Sequence, residues 1–173
     1  MRLCPVGYDK LDDTAMGGAV APHRQLIVLA LRDRASRLRA QRGGASFALR
    51  FTSTLHEQFA TRPIRLTPND PDALARAVED ALGELPGGVA EGVRANATWE
   101  APQSTLSGGG NMSVEVAFYG AATQGAQPLL VVEARACGAG CSPRLSGLDL
   151  VAFEGGDGAR DGDGGAMLSY VTE

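Results

Sequence analysis

A chain of 173 residues, 44% of them hydrophobic, suits one domain, and at this length roughly 70% of the unfolded surface can be buried. Aromatics are only 5% and glycines number 23, so the core is built from small residues, with loops rich in glycine. The net charge of −4 and the lack of aromatics among Arg32, Arg34, Arg37, Arg39 and Arg42 argue against nucleic acid as a partner. The longest apolar run, Leu26–Leu31, falls far short of the ~20 residues of a membrane helix.

Residues 1–42 read as a connector, or as the end of a preceding unit. The segment opening at Met1 has no apolar stretch fit for a signal peptide, so any targeting signal is expected to have been removed or to lie outside this segment. Within this part, "RQLIVLALR" is a continuous apolar run, expected as a strand at 25–32. "DRASRLRAQRGG" reads as a polar joint with room for a helical turn. "ASFALRFTS" alternates Phe47, Leu49 and Phe51 against Ser46, Ala48, Arg50 and Thr52, the pattern of a half-buried strand at 45–53. A short strand at 62–67 follows, with Pro63 confined to its start or to an edge.

The one strongly helical passage comes next. Asn69 or Asp70 caps it, Pro71 suits the first helical position, and Asp72 complements the positive helix end. Leu74, Ala77, Val78, Ala81, Leu82 and Leu85 recur at three- and four-residue spacing until Pro86, Gly87 and Gly88 stop the helix. A lone helix of this length is marginal in water, so the helix, expected at 70–85, must lie on a sheet. Candidate strands 92–101, 112–119, 128–136 and 147–153 follow, and "AMLSYVTE" offers one more. The expected fold is α+β: a mainly antiparallel, sandwich-like β-structure with one helix on a face. The sheet surface it covers is assigned to Phe47, Leu49, Trp99, Val114, Val116, Phe118 and Leu130. The module spans 43–153, and 154–173 is a Gly/Asp-rich linker or the start of a following unit.

Chemistry-bearing residues are few. In "CGAGC", Gly138 and Gly140 let Cys137 and Cys141 approach, which favours a local disulfide over a zinc site or a redox pair. Cys4 is then odd, a free thiol or one paired outside the chain. Asn96-Ala-Thr98 and Asn111-Met-Ser113 are N-x-[ST] glycosylation acceptors, with ordinary surface asparagines as the plain alternative. "HEQFA", at His56, lacks the second histidine of a zinc-protease helix, and no G-x-S-x-G marks a hydrolase serine. Asp157, Asp161 and Asp163 form a weak calcium candidate that departs from the EF-hand spacing, so a solvated acidic linker is favoured. No resident metal or cofactor is expected.

The order of segments carries a resemblance. Gly44 with "SFALRF", then "TRPIRL", "DALARAVEDALGEL", "GVRANATW", "MSVEVAF", "GAQPLL" and "LSGLDL" resembles a repeated module of large secreted and cell-surface proteins of algae and other protists. There the module accompanies immunoglobulin-like IPT/TIG domains, and phage and bacterial surface structural proteins show a similar pattern. The match covers about 43–150. It departs from the family at Met112, where a tryptophan is common, and at "CGAGC". The resemblance implies a non-catalytic, extracellular tandem module of a filament, coat or matrix, with neighbouring copies or other structural proteins as partners. The alternatives are a ligand- or carbohydrate-binding adhesion module and an accessory subunit of a membrane or organellar complex.

Overall fold

The computed structural model describes residues 22–101, 108–123 and 125–150, with the backbone of 169–170. Its elements run β1 (His23–Leu31), α1 (Arg34–Gln41), β2 (Ser46–Thr52), β3 (Gln58–Ala60), β4 (Ile64–Arg65), α2 (Pro71–Gly83), β5 (Val93–Glu100), β6 (Gly110–Phe118), β7 (Val131–Glu133) and β8 (Ser169–Tyr170). Every strand pair is antiparallel. One sheet is ordered β5-β6-β1-β8; in the other, β2 pairs with β3, β4 and β7. The fold is α+β with strands predominating.

One core joins the two sheets and the helices. Ile27, Leu29 and Leu31 of β1, Met112, Val114, Val116 and Phe118 of β6, and Val93 and Ala97 of β5 are buried with Phe47, Leu49 and Phe51 of β2. α2 lies against β5 and β4 and buries Leu74, Ala75, Val78, Ala81 and Leu82. Each such leucine or valine contributes roughly 1.5–3 kcal/mol of transfer free energy. The helix starts where its cap requires: the Asp70 carboxylate accepts from the Ala73 N–H at 2.9 Å, with Pro71 following it. It stops at Glu84, after which a 3-10 turn at Pro86–Gly88 holds Gly87 at φ 71°.

Several expectations need correction. β1 lies inside the stretch read as a connector, yet it pairs with β6 along its whole length and its inward side chains are core. The packed unit therefore begins at least as early as His23, not at residue 43. The polar joint is a full helix, α1: Asp33 caps it, accepting from the Ser36 N–H at 2.8 Å, and Ser36 and Ala40 are buried. β2 is covered on both sides over Ser46–Leu49, because Ser46 Oγ meets Ser146 Oγ at 2.8 Å on the side the alternation assigns to solvent. The passage around His56 gives the short strand β3. Between β3 and β4 the register slips by one residue, from Arg50↔Ala60 to Phe47↔Ile64. Thr61 bridges the slip, its N–H donating to Leu49 O at 2.9 Å and its hydroxyl accepting from the Leu49 N–H at 3.0 Å. Trp99 is only half-buried, at the rim of the core.

The expected strand at 147–153 is absent from its described part, 147–150. Instead Leu145, Gly147 and Leu150 make isolated bridges to Cys137, Ser46 and Leu31. Gly147 explains the break. Its φ is +75°, and a Cβ there would stand 2.4 Å from the Ala136 nitrogen, so the chain turns where only glycine fits. β7 is likewise shorter than the 128–136 expected, because the Leu130 N–H turns to the side chain of Gln25 instead of a strand.

Candidate functional site

The alternation of β5 and β6 separates a core face from an outer face. Arg94, Asn96, Thr98 and Glu100 of β5 all point outward and are exposed. The register sets Asn96 beside Glu115, Thr98 beside Ser113 and Glu100 beside Asn111. Both acceptor triplets therefore share one polar sheet face, with their hydroxyl residues directly opposite each other. Asn96 is exposed, whereas Asn111, on the inner strand β6, is half-buried. Glu115 is held by Arg24 at 2.7 Å across the β1–β6 ladder. The hydrogen bond and then the charge of Glu115 raise the Arg24 guanidinium above its ordinary value.

Cys137 and Cys141 are disulfide-bonded with Cα atoms 5.9 Å apart, within the usual cystine range. The cystine closes a loop next to the Cys137↔Leu145 bridge. Cys4, Asp157, Asp161 and Asp163 lie outside the described residues. His56 sits in the β2–β3 turn at φ 62°, where the Ser53 hydroxyl accepts from the Leu55 and Glu57 N–H groups. Among the described residues no three of His, Cys, Asp or Glu come together as a metal site, and no helix is long and apolar enough to cross a membrane.

Two acidic residues, Glu79 of α2 and Glu84 at its end, have structural partners. Glu79, Asp80, Glu84 and Arg94 help line a shallow, open depression of about 440 Å³. Glu84 pairs with Arg62 at 2.7 Å. Glu79 accepts the Ala95 N–H at 2.8 Å and lies 3.8 Å from Arg94. Two arginines on and beside α1 also serve as ties: Arg39 donates to Gly44 O, and Arg32 pairs with Asp149 at 3.3 Å.

Two residues escaped the sequence reading. Gln25 is 1% exposed; its Nε2 donates to Pro128 O at 3.0 Å and its Oε1 accepts from the Leu130 N–H at 2.8 Å. The available signal was its phase, since Gln25 shares the core side of β1 with Ile27, Leu29 and Leu31. Glu79 is the other: it lies off the apolar stripe of α2, and nothing in the helical period marks its reach to a strand edge. Comparison with known protein families, characterised proteins and solved structures returns no match.

Proposed function

We propose that the chain is a non-catalytic, extracellular structural module, a building block that joins neighbouring copies or other structural proteins in a surface filament, coat or matrix. The observation that carries this reading is the outer sheet face, on which both N-x-[ST] triplets stand side by side over a helix-sealed core. The cystine supports it, since disulfides persist in oxidising compartments. The segment order that resembles surface-protein repeats supports it as well. The mechanism is mechanical: α2 braces the sheet, and the polar face remains available for glycans and contacts.

Thermal melting of the full chain, alone and with calcium or a panel of soluble glycans, tests this reading. A building block keeps the same melting temperature in every mixture. A ligand selective for the native state raises it, and such a rise would assign the chain to the adhesion modules instead. Secretion from eukaryotic cells gives a second check: the intact mass should fall on enzymatic deglycosylation. A secreted chain with no glycan on Asn96 would remove the feature on which the reading rests most.

A further inference from the structure

We propose that the outer edge of β5 is the contact through which two copies of this chain pair, β5 against β5, around a twofold axis at Ala97. The inference rests on the building-block reading above and names its surface. Among the described residues β5 is hydrogen-bonded to a strand on one side only, by β6, and so ends its sheet. An unpaired edge is a template for another strand.

The phase of the ladder shows which groups face that edge. Ala95 sends its N–H outward, to Glu79, so Val93, Ala97 and Trp99 point their backbone groups the same way. Two antiparallel copies can meet only with outward residues opposite outward residues. Of the registers this allows, one is self-complementary in charge. With Ala97 opposite Ala97, Arg94 of each copy faces Glu100 of the other, Asn96 faces Thr98, and Ala95 faces Trp99. The opposite-charge pair then occurs twice, as an isologous contact requires. The half-buried Trp99 ring, which stands over Gly110 where a Cβ would come within 2.4 Å of it, gains cover from Ala95 of the second copy. Two four-stranded sheets become one.

Glu79 guards the other end of the edge. Its carboxylate occupies the Ala95 N–H, so the first bonds to form are those between the two Ala97 residues, and Glu79 of each copy then yields to the Trp99 carbonyl of the other. Asn96 stands one residue from the axis, so a glycan there and strand pairing compete for the same space.

Sedimentation equilibrium of the unglycosylated full chain tests the contact. Arg94→Glu and Glu100→Arg should each raise the dimer Kd about tenfold, and the double reversal should restore it. A cross-link keeps the test open should Arg94→Glu disturb the fold beside Glu79. In a Cys4→Ser background, Asn96→Cys and Thr98→Cys copies are mixed under mild oxidation. Their Cα atoms would stand about 4.5 Å apart in this register, so the mixed disulfide should form faster than either matched one. Association that ignores the charge reversals and yields no preferred mixed disulfide would overturn the proposal while leaving the building-block reading intact. A chain monomeric at every concentration would also overturn the proposal, and would leave other structural proteins as the partners of the building block.

Discussion

At the residue scale, burial on both sides of a position decides what it tolerates. Val78 is fully buried in α2 among core side chains, and a carboxylate there would have no partner, a cost of several kcal/mol or more. Val78→Asp should leave no cooperative melting transition; a soluble variant with an unchanged melting temperature would refute the seal. Gln25 poses the opposite case. Its amide satisfies two backbone groups of the 128–130 segment, and a buried group left unpaired costs about 1–3 kcal/mol. Gln25→Leu should therefore lower stability by a few kcal/mol although it adds apolar surface, as a denaturant titration will read. A rise in stability would show that those backbone groups find other partners. The sequence pattern marked Gln25 only as a polar residue in an apolar phase; which backbone it would hold lies a hundred residues away and was not legible.

At the element scale, local rules served where one element satisfies itself. α2 was legible because its cap, its proline and its apolar stripe agree, and the structure starts it at Pro71 beside the Asp70 cap. Asp70→Ala should cost about 1 kcal/mol, read as a fall in melting temperature of about 2–4 °C. β5 and β6 were legible from strict alternation. The rest depended on neighbours. β1 was legible as a strand from its continuous apolar run, but its place in the packed unit follows from β6 and the core that cover it. The 145–150 segment has strand composition but meets three partners through single bridges, with Gly147 turning between them. α1 was signalled only by Asp33 preceding Ser36, a cap without an apolar stripe to follow.

That cap gives α1 an acid dependence. The Ser36 N–H and then its hydroxyl hold the Asp33 carboxylate below its ordinary value of 3.8. A carboxylate whose folded value is depressed stabilises the fold fully above its unfolded value, and this contribution fades as pH falls through the lowered one. Melting temperature plotted against pH should therefore fall less steeply below about pH 4 in Asp33→Asn, which keeps a capping oxygen without the titrating charge. Identical acid limbs would exclude Asp33 as a contributor.

At the scale of the whole molecule, one core holds both sheets, so local staples add to stability without creating it. The cystine spans a sequence separation of only 4, and closing so small a loop is worth about 2 kcal/mol on chain-entropy grounds. Reduction should lower the melting temperature by about 4–8 °C and leave the transition cooperative. Complete unfolding on reduction would mean that the 137–145 loop carries the fold.

The candidate site was legible in part: the asparagines and cysteines are visible in the sequence, but their shared sheet face follows from the β5–β6 register. The edge and its guard appear only in the assembled sheet. Sedimentation velocity of the unmodified full chain over a wide concentration range tests most directly the central claim that copies of this chain assemble with one another. The account predicts a sedimentation coefficient that climbs with concentration as copies associate. A single monomeric boundary at every concentration would contradict it.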